Sequence, residues 1–204
     1  MATIHELGKL TESKFLNMYN AKGSNSKGHH TDYYFASRAS SIDTLKLKTH
    51  ENKPDGVAIY SLYGEKHDRV VLIRQYRYPL DGYIYEFPAG LCEAGEDFHT
   101  AATRELHEET GLTFKPIDAG YALEAPRFTS IGLTDESVAT VYGYAEGEIS
   151  DKYMEKAEEI EVVLADKDEI RRILKEENVA LICAYQLMHF LVDEEPFGFL
   201  KKIQ

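Results

Sequence analysis

The chain has no hydrophobic run long enough to span a bilayer, which takes about 20 consecutive apolar residues. Its first residues show no signal-peptide pattern. Only two cysteines, Cys92 and Cys183, occur in 204 residues. Two are too few for a disulfide framework and suit a reducing compartment. Basic residues are scarce, with 23 Lys and Arg against 35 Asp and Glu, a formal charge of −12. That balance argues against nucleic-acid backbone or anionic membrane as a partner, since both need a basic footprint. Repeats and low-complexity tracts are absent, and so are Gly-x-Gly-x-x-Gly and P-loop patterns, which removes the Rossmann and Walker nucleotide sites. The expectation is a soluble cytoplasmic protein with neither a nucleic-acid nor a membrane partner.

What is present is a 43% apolar chain, enough for one cored domain with a small extension. Residues 1–55 are the least patterned. Strands are expected at 14–19 and 33–38, joined by the polar turn 22–28. His29 and His30 follow on this turn and read as solvated rather than as metal ligands. Asn52, Pro54, Asp55 and Gly56 make a turn that divides an N-terminal β segment, 1–55, from a second domain, 56–204. Further strands are expected at 57–63, 69–78, 83–87, 119–124, 137–145 and 159–164. The stretch 70–73 is continuously apolar, as in a strand buried on both faces. Asp166 with Glu169 opens a helix reaching Lys175. The stretch 179–192 is a second helix, apolar nearly all round, which suits a core helix and, secondarily, a dimer contact.

The most informative stretch is 90–112. Asp97 is a natural N-cap and Gly111 a natural left-handed C-terminal residue, so 98–110 reads as one helix. Glu105, Glu108 and Glu109 lie at i, i+3 and i+4, on one side of it. At about 100° per residue, Phe98, Ala101, Ala102 and Leu106 share that side, while Thr100, Thr103 and His107 face away. Acids beside the core side must be paired, protonated or bound to metal. One arginine, Arg104, cannot neutralise three glutamates, and a hard divalent cation such as Mg²⁺ is the remedy expected of oxygen donors.

Gly90, five residues, Glu96, seven residues, then Arg104-Glu105-Leu106-His107-Glu108-Glu109-Thr110-Gly111-Leu112 resembles a complete Nudix box. At ordinary residue usage such a match arises by chance roughly once in a million chains, so it outweighs composition as a guide. The flanks, Arg74, Gln75, Tyr76 and Arg77, then residues 82–90, resemble the ADP-ribose (ADP-sugar) pyrophosphatase branch of that family. So do Pro126, residues 132–136 and residues 195–200. Ile131 departs from the Pro that many members carry before the loop glycine.

The resemblance implies an α/β (α+β) fold: a Nudix-type α/β/α sandwich with a mixed sheet, the 98–110 helix on one face and a C-terminal helix on the other, plus a small N-terminal β segment. It also implies roles. The Ala89 carbonyl, Glu105 and Glu109 would ligate Mg²⁺ or Mn²⁺, with Glu108 supporting or sharing a metal. Arg104 would orient the acids and Glu96 would brace loop and helix. Arg77 would contact phosphate. Phe15 and Tyr33 match adenine-stacking positions, Arg38 follows as a ligand contact, and Glu136 faces the ribose or terminal phosphate. The general base falls on the loop before residues 160–162, with Glu158 favoured and Glu155, Glu159 and Glu136 as alternatives. The implied reaction is hydrolysis of ADP-ribose to AMP and ribose 5-phosphate by a homodimer whose N-terminal segment makes the dimer and adenine contacts. A pyrophosphatase of another nucleotide sugar or dinucleotide, such as GDP-mannose, is the alternative enzyme. A hydrolase of oxidised nucleoside triphosphates fits the flanks less well. A ligand sensor without turnover fits poorly, since every box acid is present and no basic helix-turn-helix segment occurs.

Overall fold

A computed structural model describes residues 1–203 apart from 155 and 157. The chain forms two compact units, residues 1–55 with 126–138, and residues 56–125 with 139–204. The strands are β1 (Thr3–Lys9), β2 (Asn17–Ser24), β3 (His30–Ser37), β4 (Gly56–Tyr63), β5 (Arg69–Arg77), β6 (Gly82–Glu86), β7 (Ala89–Leu91), β8 (Thr113–Pro116), β9 (Arg127–Phe128), β10 (Ser137–Glu146) and β11 (Ile160–Ala165). The helices are α1 (Lys46–Thr49), α2 (Phe98–Thr110), α3 (Tyr121–Glu124), α4 (Lys167–Glu176), α5 (Leu181–Val192) and α6 (Gly198–Ile203).

In the first unit β1, β2 and β3 form an antiparallel sheet in that order. Tyr19, Ala21, Phe35 and Leu45 make its small core, with Tyr19 and Phe35 stacked at 5.8 Å. The strand expected from residue 14 begins instead at Asn17. The Asn17 amide accepts from the Ser13 N–H at 2.7 Å and donates to the Ser13 carbonyl at 2.9 Å. That side-chain closure supplies the partners a ladder would have given and keeps Lys14 and Phe15 out of the sheet. Strand β1 was not expected, because its exposed and half-exposed residues carry no clear hydrophobic alternation. The loop after β9 joins the same unit through the Ala36 N–H donating to the Leu133 carbonyl at 2.8 Å.

The second unit is built on a mixed sheet in the order β11-β5-β4-β10-β8, with β6 beside β5 and β7 beside β4. Period-two alternation sorts its side chains into two cores. Val57, Ile59 and Val71 meet Ala101, Ala102 and Leu106 of α2 on one face. Tyr60, Leu62, Val70 and Leu72 meet Ile170 and Ile173 of α4, Leu187 and Phe190 of α5 and Phe199 of α6 on the other. The apolar run 70–73 is fully buried, as its composition requires. This is the expected three-layer α/β sandwich.

Helix α2 begins and ends where its sequence dictates. The Asp97 carboxylate accepts from the His99 and Thr100 amides at 3.0 and 3.2 Å. Gly111 takes φ 75° and its N–H closes on the His107 carbonyl at 2.8 Å. Asp166 caps α4 in the same way through the Asp168 and Glu169 amides. Glu169 does not complete a reciprocal box, because its carboxylate is bound by Arg172.

The strand expected at 119–124 is corrected. Strand β8 lies earlier and pairs with β10, with Phe114 opposite Ala145. Residues 121–124 are a single helical turn entered from Gly120 at φ 81°. Ala119, Tyr121 and Leu123 alternate as in a strand, but Ala119 is buried and Tyr121 is 81% exposed. Among the described residues no helix is long and apolar enough to cross a membrane.

Candidate active site

Small residues set the site. Ala101 and Ala102 let α2 lie close against the sheet, and its acids then reach the backbone of β7. A Cβ at Gly90 would overlap the Glu105 carboxylate, so only glycine leaves room for that approach. Glu109 is 3% exposed and accepts from the Ala89 N–H at 3.0 Å. Glu105 keeps 15% side-chain exposure and Glu108 40%, so the three acids grade from core to rim.

Arg104 gathers the rest. Its guanidinium donates to both Glu96 oxygens at 3.1 and 3.0 Å. It also donates to Glu105 at 2.8 Å, Glu108 at 3.0 Å and the Leu91 carbonyl at 3.0 Å. Glu96 in turn accepts from the Glu93 N–H at 2.9 Å. One planar fork therefore ties the box loop to two of the three helix acids. Glu96 is held below the usual carboxylate range, first by Arg104 and then by the Glu93 amide.

The electrostatics run the other way at the inner acids. Burial pushes Glu109 well above the ordinary carboxylate range. The Ala89 amide opposes this, the charges of Glu158 and Glu105 add to it, and Arg77 works against it. Glu105 is also raised, by burial first, against Arg104 and with Glu108 and Glu158 adding. The second unit thus concentrates more carboxylate charge than its arginines offset. Among the described residues no three His, Cys, Asp or Glu side chains converge at metal-ligand spacing. Glu105 and Glu108 turn to Arg104 and Glu109 turns to the Ala89 amide. Oxygen donors in excess, one deeply desolvated, are the chemistry a hard divalent cation fits.

Arg77 ends β5 on this face. Its guanidinium binds Glu86 through two bonds, at 3.2 and 2.5 Å. Its burial disfavours the charge, but Glu86, and then Glu109 and Glu158, more than restore it. Glu86 was not singled out in the sequence. The β5–β6 register sets Arg77 opposite Gly82 and Glu86 opposite Ile73, so the pair is made by two long side chains on one side of the hairpin and left no local signal.

The loop acids separate clearly. The β5–β11 register sets Ile160 opposite Gln75, and the Tyr76 N–H donating to the Glu159 carbonyl at 3.2 Å adds one more rung. The Glu159 side chain accepts from the Tyr83 hydroxyl. Glu158 is the acid whose charge acts on Glu105, Glu109 and Arg77. Glu155 lies outside the described residues.

The remaining expected residues belong to the first unit. Arg38 pairs with Glu136 at 2.8 Å, and Glu136 also accepts from the Thr129 hydroxyl at 3.2 Å. The Tyr33 hydroxyl donates to the Gly132 carbonyl at 2.7 Å. Tyr33 lines a groove of about 690 Å³ in this unit, together with Phe35, Phe128 and Ile131. Phe15 is 64% exposed, with the Lys14 ammonium 4.9 Å from its ring centre.

A three-layer α/β fold with a carboxylate helix packed against a glycine-bearing strand defines the class of the second unit. The chain belongs to the NUDIX domain family, whose model matches residues 52–180. It is 42% identical over 83 residues to the ADP-ribose pyrophosphatase of Saccharomyces cerevisiae, covering 39% of this chain and 36% of that one. It is 43% identical over 72 residues to the ADP-sugar pyrophosphatase of Mus musculus, covering 34% and 33%. It is 39% identical over 85 residues to the ADP-ribose pyrophosphatase of Bacillus subtilis, covering 42% and 43%. The chain thus spans well under two thirds of the length of each of these relatives. A solved structure described as an ADP compounds hydrolase is similar with a TM-score of 0.66, over 93% of this chain and 91% of that chain. At 16% identity that likeness is one of fold.

Proposed function

We propose that this chain hydrolyses the pyrophosphate bond of ADP-ribose or a related ADP-sugar, giving AMP and a sugar phosphate, ribose 5-phosphate from ADP-ribose. The observation that carries this reading is Glu109, 3% exposed, beside Glu105 and within the field of Glu158. The named activities of the yeast, mouse and Bacillus relatives support the substrate class.

Glu105, Glu109 and the Ala89 carbonyl, with Glu108 at the rim, would hold Mg²⁺ or Mn²⁺. When bound, a divalent cation offsets the charge of the diphosphate oxygens that otherwise repel a nucleophile. Arg104 and Glu96 keep the box loop and the helix acids in one geometry. Arg77, oriented by Glu86, binds a phosphate oxygen of the substrate. Glu158 accepts the proton of the attacking water as one P–O bond forms and the bridging P–O bond breaks. The bridging oxygen leaves with one phosphate, so the products are two monophosphates. The same proposal gives adenine stacking to Phe15 and Tyr33, and contacts to the sugar or terminal phosphate to Arg38 and Glu136. The aromatic groove that Tyr33 lines suits a flat base. A cytoplasmic homodimer, with 1–55 supplying the dimer contact, completes the reading.

The test is turnover of ADP-ribose, GDP-mannose, NADH and diadenosine polyphosphates side by side in Mg²⁺. ADP-ribose is expected to be consumed fastest, with AMP and ribose 5-phosphate in equal amounts. Preference for GDP-mannose would keep the chemistry and overturn the base assignment. Tight ADP-ribose binding without turnover of any substrate would overturn the enzyme.

A further inference from the structure

The loop between β10 and β11 carries Glu158 and contains neither strand nor helix among its described residues. It is tied at its start by the Ser150 N–H donating to the Thr110 carbonyl at 2.9 Å. At its far end the tie is Glu159, the residue next to Glu158. That tie has two parts. The main chain is held by Tyr76 as an extra rung of the β5–β11 ladder. The side chain is held by the Tyr83 hydroxyl.

Tyr83 is itself well fixed. It stands opposite Tyr76 in the β5–β6 register, with the two rings edge-on at 5.6 Å. The Arg74 guanidinium lies 4.1 Å from the Tyr83 ring centre, and Arg74 reaches Glu161 of β11 at 3.5 Å. Tyr76 is anchored in turn by its hydroxyl on Asp81 at 2.5 Å. Strands β6, β5 and β11 are therefore stitched together at the point where the loop ends.

Extended residues alternate sides. With Ile160 opposite Gln75 and Glu159 opposite Tyr76, continuing the register brings Glu158 level with Arg77. Glu159 then points to the Tyr83 side, where its carboxylate accepts from that hydroxyl, and Glu158 to the opposite side with Arg77, in agreement with its charge acting on Glu105 and Glu109. If the Glu159 side chain is released, the main-chain rung to Tyr76 remains, but the side-chain tie that sets which way Glu159 faces beside Glu158 is lost.

We propose that Tyr83 and Glu159 form a latch that positions Glu158, so that Tyr83 is a positioning residue for the hydrolytic step. This rests on the reading of Glu158 as the general base. Neither latch residue needs to touch substrate. A merely structural tie at the sheet edge would instead show itself in stability.

The experiment is a set of four variants assayed with ADP-ribose and Mg²⁺, each also melted. Tyr83→Phe and Glu159→Ala are each expected to lower kcat by about tenfold, with KM changed by no more than about twofold, as for a base displaced by a fraction of an ångström. Their double variant is expected to lose no more than either alone, because both break one hydrogen bond. Glu159→Gln keeps an oxygen to accept the Tyr83 hydroxyl and is expected to restore most of kcat. Melting temperatures are expected to stay together across the set. Full kcat in Tyr83→Phe would overturn the latch, and so would a loss that tracks melting temperature and persists in Glu159→Gln. Glu158→Gln run in parallel separates the two claims. If it keeps full kcat, the base assignment itself falls and the latch falls with it. If it collapses while Tyr83→Phe is silent, only the latch falls.

Discussion

The two faces of the large sheet use opposite means. One face is filled by bulk: Tyr60 stacks on Phe87 at 5.1 Å and meets Phe197 edge-on at 5.3 Å, over Leu187 and Phe190 of α5. On the other, Ala101 and Ala102 pack among Val57, Ile59, Leu106 and Phe114, and Gly90 leaves room for the Glu105 carboxylate, so a helix of carboxylates lies against a strand. The aromatic face gains stability from burial. The alanine face gives some of that up, since it holds a desolvated glutamate whose burial is unfavourable when charged. The proposed function would put stability and chemistry in separate layers of one unit, and substitutions should then separate them.

The largest effect is expected at the reactive face. Glu109→Gln should lower ADP-ribose turnover on the order of a thousandfold, because it removes an anionic oxygen donor from the charge-balancing set. Its melting temperature without divalent cation should not fall, and should rise at neutral pH, since the neutral amide is easier to bury. Turnover and melting on one preparation would check both.

Leu187→Ala should do the reverse. A fully buried leucine in the aromatic core is truncated, and unfolding free energy should drop by about 2–5 kcal/mol. Turnover per folded molecule should be unchanged, which denaturant melts with active-site titration would show. Loss of both together would mean that the two faces are not separable.

Gly90→Ala sharpens the contrast within the reactive face. Its added methyl group displaces the Glu105 carboxylate, so the Mg²⁺ concentration for half-maximal rate should rise by about 10- to 100-fold. The smallest effect is one of pH. Glu109 has a folded-state pKa raised above its unfolded value, so the stability it contributes is full below the ordinary carboxylate range and is lost as pH rises through the raised value. In EDTA, Glu109→Gln should therefore gain on the wild type as pH increases through that window. A gap that is constant with pH would show that Glu109 is not titrating there.

Much of the reactive face was legible because its signals are local. Asp97, Gly111 and the spacing of Glu105, Glu108 and Glu109 fix the helix and its acid side without any tertiary knowledge. The misses are of two kinds, local turns that override a strand pattern and pairings made only by the tertiary fold. Side-chain closure by Asn17 cut short the second strand, and the alternation of 119–123 disguised a helical turn after Gly120. Glu86 acquires its role only when the β5–β6 hairpin brings it to Arg77. The distinction between Glu158 and Glu159 depends on which side each faces, and that parity is set by the register of β11 on β5. Several glutamates close together in sequence look alike until a ladder counts them.

In the proposed function the acids of α2 act with a divalent cation on a diphosphate. Its most direct test is release of AMP from ADP-ribose by the wild type and by Glu109→Gln, in Mg²⁺ and in EDTA. AMP and ribose 5-phosphate are expected from the wild type in Mg²⁺ alone, and almost none from the folded variant. Turnover that survives EDTA, or that is undiminished in Glu109→Gln, would contradict the proposal.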